Sequence, residues 1–321
     1  MLAAFAKSID ADVPLAALGV DDRPEPRPRD GWTVVTVRAA ALNHHDLWTL
    51  RGVGIRPERL PLILGCDAAG VDEDGNEVVV HSVVTSPGWT GDDMLDPDRS
   101  LLSEVHDGTL AERVLVPRRN LVAKPTSLSF EQAACLPTAW LTAYRMLFVK
   151  ANPLPGSTVL VQGAGGGVAT AAVALAAATG LRVWVTSRGD AGREAALTLG
   201  ADRVFTAGER LPERVDVVLD DVGQATWAHS LKSLRPGGTL VTCGATTGPH
   251  PPADLRRVFY RELNVRGSSM GTRAELEQLL ALLDTTGLRP RIDSTMPLAD
   301  AREGLKKLAH GDAQGKIVLI P

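Results

Sequence analysis

The sequence predicts an α/β protein in which a doubly wound parallel sheet accompanies a second, mostly β region. Two patterns support this prediction. Segments rich in β-branched residues dominate the first third of the chain, and strand and helix patterns alternate from residue 158 onward. Such alternation is typical of a parallel sheet covered by helices on both faces. With 321 residues, the chain is also long enough for two domains.

The β character of the first third comes from three segments bounded by turn-forming residues, at 32–38, 77–84 and 110–116. Residues 87–108 are polar and irregular, which indicates an exposed loop. Ser129 and Pro137 are typical helix starts, and they predict two helices before the alternation begins.

Strand and helix patterns then follow one another along the chain. Strands are predicted at 158–161, 182–186, 215–220, 239–242 and 316–320, and helices at 168–179, 193–199, 224–234, 273–284 and 299–309.

A glycine-rich segment, VLVQGAGGGVATAA at 159–172, joins the first of these strands to its helix. Glycines at such a turn let the backbone approach a pyrophosphate, and the helix N-terminus adds a partial positive charge. A plain tight turn is the alternative. The order of strand, helix and second strand nevertheless matches a unit that binds a nicotinamide dinucleotide. The candidate contacts are Gly163, Gly165, Gly166, Gly167 and Val168.

The end of the second strand indicates which dinucleotide binds. NAD enzymes usually carry an acidic residue there for the adenine ribose, whereas this chain has Thr186, Ser187 and Arg188. Two hydroxyls and a guanidinium suit a 2′-phosphate, and no carboxylate is present to repel it. The strand end therefore predicts NADP(H), unless Arg188 is simply a solvated surface arginine.

Composition and charge argue against several classes of function. The net charge of −4 and the absence of a Lys/Arg run make nucleic acid and anionic membranes poor partners. Cys66, Cys135 and Cys243 form no CxxC pair, which fits a reducing cytoplasm. Residues 158–181 carry no charge, but the glycine cluster within them argues against a transmembrane helix. Residues 1–6 are too short for the core of a signal peptide.

Together with the glycine segment, eight further motifs resemble the medium-chain dehydrogenase/reductase superfamily, close to its quinone oxidoreductase and zinc-binding dehydrogenase-like branches. They extend over almost the whole chain except residues 87–107. The motifs are LNHHDLWTLRG (42–52), LPLILGCDAAG (60–70), GTLAERVLVP (108–117), LPTAWLTAYRML (136–147), LGAD (199–202), RPGGTLVTCGATTG (235–248), GSSMGT (267–272) and GKIVL (315–319).

This resemblance implies a GroES-like, mostly β substrate domain and a Rossmann domain that binds NADP(H). We expect the first over residues 1–123, completed by 270–321, and the second over 124–269. The resemblance also implies a homodimer or homotetramer that acts on a small molecule. Lys316 is expected near the pyrophosphate. The positions that match cofactor contacts of the superfamily are His44, Thr142, Val222, Gly244, Ala245, Thr246 and Lys316.

The chain departs from its zinc-dependent relatives at all three catalytic ligands. Where those relatives have Cys, His and Cys, this chain has Asn43, Cys66 and Thr138. Neither an amide nor a threonine hydroxyl is a normal zinc ligand. The excursion that carries a four-cysteine structural zinc in relatives contains no cysteine here. The resemblance therefore implies that no metal is bound.

An alternative metal site would combine Cys66 and Asp67 with one of the adjacent residues His44 and His45. In an extended segment, neighbouring side chains point to opposite faces, so both histidines could not easily serve one ion. Cys66 more simply packs as a small apolar residue. We expect the other two cysteines also to belong to the core rather than to a catalytic site.

The candidate catalytic residues are Asn43, His45 and Trp48. Asn43 and His44 are expected along the cofactor, and Trp48 is expected to line the substrate pocket unless it only fills the core. No tyrosine stands where some reductases have a proton donor. His45 is the remaining candidate donor, because an imidazole pKa suits proton transfer near neutral pH. A hydrogen-bonded structural histidine is the alternative.

The sequence thus predicts a cytoplasmic, zinc-independent oxidoreductase that transfers hydride from NADPH to a quinone or an activated enone. Two other functions stay open. One is an alcohol dehydrogenase that keeps some metal, and the other is a non-catalytic NADPH-binding protein, since a fold does not establish catalysis.

Overall fold

The computed structural model describes residues 1–321 and divides into two compact units. Residues 1–139 and 271–321 form the β-rich unit, and residues 140–270 form the parallel-sheet unit. The first boundary differs from the expected 123/124. Residues 124–139 belong to the β-rich unit, where the Lys124 ammonium donates to the Leu128 carbonyl oxygen (2.6 Å) and pairs with Glu77 (3.0 Å).

The strands follow the chain from the β-rich unit through the parallel-sheet unit and back. They are β1 Leu2–Ala6, β2 Leu18–Asp22, β3 Trp32–Ala41, β4 Leu62–Ile63, β5 Asp67–Val71, β6 Glu77–Val80, β7 Val83–Val84, β8 Ser100–Leu101, β9 Arg113–Pro117, β10 Leu121–Ala123, β11 Thr158–Gln162, β12 Arg182–Ser187, β13 Arg203–Thr206, β14 Val215–Asp220, β15 Leu234–Thr242, β16 Asn264–Gly267, β17 Ile292–Pro297 and β18 Lys316–Ile320.

The α-helices are short or of medium length, and none is long and apolar enough to cross a membrane. π-helical turns at Leu136–Trp140 and Arg145–Ala151 flank the third of them. The α-helices are α1 His44–Leu50, α2 Phe130–Ala134, α3 Leu141–Tyr144, α4 Gly167–Ala178, α5 Asp190–Thr198, α6 Gln224–Ser233, α7 Leu255–Tyr260, α8 Arg273–Thr286 and α9 Ala301–His310.

The parallel-sheet unit has the strand order β13-β12-β11-β14-β15-β16, with every neighbouring pair parallel. Numbered within the unit, this order is 3-2-1-4-5-6, the doubly wound arrangement of dinucleotide-binding sheets. Buried Leu160, Trp184 and Val218 belong to its hydrophobic core. The predicted Rossmann fold is confirmed.

The β-rich unit is built on a seven-stranded sheet in the order β10-β6-β5-β3-β18-β17, with β9 also paired to β3. Strand β18 pairs antiparallel with β3, with Val318 opposite Ala41. Because residues 316–320 pair beside β3, they bring the start of β18 close to the residues that follow β3. This pairing builds the polar cluster described below.

Helix α1 was not expected from the sequence. It begins directly after Asn43, whose backbone N–H donates to Asp46 Oδ2 at 2.8 Å, a contact typical of a helix N-terminus. His44 and His45 therefore lie on the first turn of a helix. The extended conformation predicted for these two histidines in the alternative metal site is therefore wrong.

Candidate functional site

A buried polar cluster surrounds Lys316 in the β-rich unit. The ammonium donates to the Leu42 carbonyl oxygen (2.7 Å), Asn43 Oδ1 (2.6 Å) and Asp67 Oδ2 (2.9 Å). The Lys316 side chain is 3% exposed and that of Asp67 is fully buried. Since an ammonium has three hydrogens, Lys316 has no donor left for a pyrophosphate in this arrangement.

Asn43 is bonded at both ends of its amide. Its Oδ1 accepts from Lys316, and its Nδ2 donates to Asp67 Oδ2 (2.9 Å) and to the Ala41 carbonyl oxygen (3.3 Å). Burial raises the pKa of neighbouring Asp46 to about 7. Asp46 Oδ1 and Asp67 Oδ1 are buried and accept no hydrogen bond from any residue. The cluster thus combines one fixed cation with two carboxyl groups that are only partly satisfied.

The other two positions that match zinc ligands hold weak donors. Cys66 is fully buried, its thiol donates to the Leu102 carbonyl oxygen (3.3 Å), and burial raises the pKa of that thiol well above its ordinary value. Thr138 Oγ1 is buried without a hydrogen-bond partner. No group of three or more His, Cys, Asp or Glu side chains is placed to hold a metal ion.

His45 lies beside Glu104, with 3.8 Å between Nε2 and Oε1, and its Nε2 is 3.5 Å from Thr49 Oγ1. Burial lowers the pKa of His45 to about 4, although the charge of Asp67 opposes this shift. The expectation of a pKa near neutrality is wrong. His45 is therefore a neutral imidazole at pH 7, without an extra proton to give.

The remaining candidates in this unit lie on α1. His44 is exposed, and the partly exposed Trp48 ring lies 5.2 Å from the Arg51 guanidinium. Cys135, expected in the core, is fully buried, and burial raises the pKa of its thiol to about 12.

The glycine loop of the parallel-sheet unit has open space beside its backbone. Gly163 has φ +86°, and a Cβ added there would meet only Val222 at 3.7 Å and Asp221 at 3.9 Å. A Cβ on Gly166 would meet only Asp221, also at 3.9 Å. Helix α4 begins at Gly167 without a side-chain cap, so its first N–H groups are open to an anion.

The carboxyl ends of β14 and β15 bring further candidate residues to one place. A Cβ on Gly244 would be 2.6 Å from the Asp221 carbonyl oxygen, so the two chain segments touch closely. The Val222 carbonyl oxygen accepts a hydrogen bond from the Thr246 hydroxyl (3.4 Å). Ala245 lies close to Gly223, because its Cα is 2.8 Å from a Cβ added to that glycine. Thr142 lies apart on α3 and is 6% exposed.

Two of the three candidate side chains at the end of β12 already donate hydrogen bonds within the protein. The Thr186 hydroxyl is buried and donates to Gln162 Oε1 at 2.6 Å, and Ser187 Oγ donates to the Gly189 carbonyl oxygen at 3.2 Å. Arg188 is exposed and makes no hydrogen bond or ion pair. Of the three residues expected to bind a 2′-phosphate, Arg188 has its donors free.

Gln162 and Asp220 are polar residues of this unit that the sequence analysis missed. The Gln162 amide donates to Ser230 Oγ (3.0 Å), and Ser230 donates to Asp220 Oδ2 (2.7 Å). A polar side chain at the end of an apolar strand was the available signal for both. Asp67 was considered only as a metal ligand, and the structure pairs it with Lys316 instead.

A doubly wound sheet with an open glycine loop after its first strand is the architecture of dinucleotide-binding domains, and here it shares one chain with a mostly β unit. Sequence profiles agree: residues 29–126 match the alcohol dehydrogenase GroES-like domain, and residues 167–285 match the zinc-binding dehydrogenase family. The chain belongs to the medium-chain dehydrogenase/reductase superfamily.

Named relatives span several activities of the superfamily. The chain is 32% identical to an acryloyl-coenzyme A reductase of Metallosphaera sedula, over 92% of this chain and 94% of the relative. It is 28% identical to a quinone oxidoreductase of Lama guanicoe, over 92% and 90%. A crystal structure of an NAD-dependent alcohol dehydrogenase superposes with a TM-score of 0.92 at 32% identity, and each chain is covered completely.

Proposed function

We propose that the protein is a zinc-independent, NADPH-dependent oxidoreductase that transfers hydride to a quinone or an activated enone. The observation that supports this most strongly is the contact between Lys316 and Asn43. At a position where zinc-dependent relatives have a cysteine ligand, this chain has an amide whose oxygen is bonded to an ammonium at 2.6 Å.

The residues at the three ligand positions do not fit a zinc ion. A zinc ligand must offer a free lone pair, and a cysteine ligand must lose its proton. Asn43 Oδ1 is used by a cation, and the Cys66 thiol holds its proton because burial raises its pKa. Zinc would also have to come close to the positive charge of Lys316, which is unfavourable at a buried site.

Support for NADPH comes from the unpaired, exposed Arg188 at the end of β12. The dinucleotide, when bound, supplies the hydride. Thr186 has no free hydrogen to offer a phosphate, because its hydroxyl donates to Gln162. Ser187 likewise donates its hydroxyl hydrogen to the Gly189 carbonyl oxygen, so in this proposal Arg188 is the residue that recognises the 2′-phosphate.

The choice of substrate follows from the protons that must move. Oxidation of an alcohol requires its proton to leave, and zinc makes the alkoxide accessible near neutral pH in metal-dependent enzymes. A quinone or enone already accepts hydride, and the resulting oxyanion or enolate needs only a proton. Because His45 is neutral at pH 7, we propose that this proton comes from water. A relative named for acryloyl-coenzyme A, an activated alkene, supports this choice.

The decisive assay follows NADPH consumption at 340 nm with quinones, enones and a series of alcohols in parallel, on protein analysed for metal content. We expect turnover of quinones or enones with far less than one zinc per chain. Turnover of alcohols with NADP⁺ together with stoichiometric zinc that survives a chelator wash would favour the alcohol dehydrogenase alternative. NADPH binding without turnover of any substrate would favour the non-catalytic alternative.

We also propose a cytoplasmic homodimer or homotetramer. Strand β16 is an exposed sheet edge, and neighbouring α7 exposes Leu255, Phe259 and Tyr260 at 70–80%. An unpaired edge with exposed apolar side chains is typical of a surface covered by another chain. Sedimentation of the purified protein tests this assignment, and a monomer at micromolar concentration would contradict it. The cytoplasmic assignment is supported by the three cysteines, which are free thiols, because a reducing compartment keeps thiols unpaired.

A further inference from the structure

Asp221 directly follows strand β14 and faces the glycine loop. Its two carboxylate oxygens lie 3.9 Å from the Cβ positions of Gly163 and Gly166, one oxygen near each glycine. These are the glycines whose missing side chains leave room for a pyrophosphate in the dinucleotide proposal above. An acidic side chain thus borders the space where that proposal puts two negative charges.

Neighbouring Asp220 is in a different situation. Its carboxylate accepts hydrogen bonds from the backbone N–H groups of Val222 (2.9 Å) and Gly223 (3.0 Å) and from the hydroxyls of Thr226 and Ser230. No other residue donates a hydrogen bond to the Asp221 carboxylate, and no cation of the parallel-sheet unit pairs with it. The negative charge of Asp220 is stabilised, whereas that of Asp221 is not.

The charged side chain that faces Asp221 is Asp220 on strand β14, and its charge disfavours the ionised form of Asp221, whereas the backbone N–H of Asp221 itself favours that form. The segment after β15 contributes Cys243, a neutral thiol whose pKa burial raises well above its ordinary value. The glycine loop and the first turn of α4 carry no titratable side chain, and α6 turns Thr226 and Ser230 toward Asp220. Burial, followed by the charge of Asp220, raises the pKa of Asp221 to about 7.

A pyrophosphate bound in the loop adds further negative charge near this carboxyl group and favours its protonated form. We propose that Asp221 takes part in dinucleotide binding as a neutral carboxylic acid that donates a hydrogen bond to the pyrophosphate. The proton comes from solvent, so that binding above neutral pH takes up one proton per site and makes or breaks no other bond. This inference rests on the dinucleotide binding proposed above.

Titration calorimetry on the full chain tests the proposal. NADPH and NADH are titrated between pH 7 and 9 in buffers that differ in ionisation enthalpy, which counts the protons taken up. NADH lacks the 2′-phosphate, so proton uptake with NADH cannot come from that group. For the wild type we expect uptake approaching one proton at pH 9 and an affinity that falls about 50-fold from pH 7 to 9, as linkage to a group with a pKa of about 7 requires.

Two variants remove the titrating group, Asp221→Asn and Asp221→Ser, and Glu194→Gln removes an exposed carboxylate of the same unit as a control. We expect both Asp221 variants to bind with no linked proton and with an affinity that is flat from pH 7 to 9, and the control to behave as the wild type. Equal proton uptake in the wild type and Asp221→Asn, or a wild-type affinity independent of pH, overturns the role of Asp221. Failure of the wild type to bind either dinucleotide overturns the proposed function as well.

Discussion

Each unit holds two carboxyl groups close together, Asp46 and Asp67 in one and Asp220 and Asp221 in the other, and the units stabilise the ionised member of the pair in different ways. In the β-rich unit, Asp67 contacts a lysine ammonium at 2.9 Å that is itself almost fully buried. In the parallel-sheet unit, Asp220 accepts hydrogen bonds from four donors without any cation, whereas no other residue donates a hydrogen bond to the Asp221 carboxylate. At the end of β12 in that unit, the exposed Arg188 has no hydrogen bond or ion pair.

This difference indicates what each unit is built to do. In the Lys316–Asp67 pair each charge has its counter-charge inside the unit, so the Lys316 cluster serves as a fixed internal structure and leaves no free cation for a ligand. A unit that leaves a cation exposed and a carboxyl group unpaired has groups whose partners must come from outside. The following predictions test this contrast.

The largest expected effect is the loss of the internal cation. Lys316→Met leaves Asp67 buried without its counter-charge, and we expect the free energy of unfolding to fall by about 3–5 kcal/mol. Urea denaturation measures the change. Lys306→Met, at an exposed lysine 3.9 Å from Glu303, should change stability by less than about 0.5 kcal/mol.

Adding Asp67→Asn to Lys316→Met should recover part of the loss, because the unpaired charge is then gone. If Lys316→Met unfolds at the same urea concentration as the wild type, the cluster is not the internal ion pair described here.

Removal of the exposed cation Arg188 should weaken NADPH binding rather than change stability. Arg188→Ala should weaken NADPH binding by about 1.5–3 kcal/mol, the range for hydrogen bonds to a charged group, and leave NADH binding nearly unchanged. Fluorescence titration with both dinucleotides measures it. The exposed Arg210→Ala is the matched control. Equal affinity of the wild type for NADPH and NADH would contradict the assignment of Arg188.

A substitution at Thr186 tests whether this residue at the end of β12 contributes to protein stability or to recognition of the 2′-phosphate. Thr186→Val leaves Gln162 Oε1 without its donor, and we expect a loss of about 1–2 kcal/mol in stability. The ratio of NADPH to NADH affinity should stay at the wild-type value. Thr198→Val, at an exposed threonine, is the control. A changed affinity ratio would show that Thr186 contacts the 2′-phosphate after all.

A further expected effect is a change in how stability depends on pH. The pKa of Asp46 is raised from 3.8 to about 7, so the folded chain binds more protons than the unfolded chain between these values. Stability contributed by this group therefore falls as pH rises from 4 to 7. We expect Asp46→Asn to flatten the decline of Tm between pH 5 and 7.

His45 acts with the opposite sign, because its pKa is lowered from 6.5 to about 4. His45→Gln should therefore make the decline of Tm with pH steeper. Asp12→Asn, at an exposed carboxylate, should leave the pH dependence unchanged. Parallel Tm curves for the wild type and both variants would refute these two assignments.

The sequence predicted the parallel-sheet unit better than the β-rich unit. Strand 215–220 of the parallel-sheet unit has the predicted bounds, as does strand 316–320 of the β-rich unit, because their apolar runs are buried and bounded by turn residues. Helix α1 and short strands such as β1 and β4 were missed, since long-range pairing decides them rather than a local pattern.

The candidate site was predicted in part. The glycines of the loop were recognisable because strand and helix flank them on the chain. The contact of Lys316 with Asn43 joins residues 273 positions apart, so no local spacing could reveal it. The pKa of His45 likewise depends on burial, which depends on tertiary packing.

The position of Lys316 also bears on the synthesis of the chain. Asp67 is made 249 residues before its counter-ion, and the whole parallel-sheet unit is made between them. That unit is contiguous and can fold as it emerges from the ribosome, as domains generally do. Until β18 appears, Asp67 cannot be buried in its charged form without a large cost. Burial of Asp67 as a charged group in the β-rich unit therefore has to wait until β18 supplies its counter-ion.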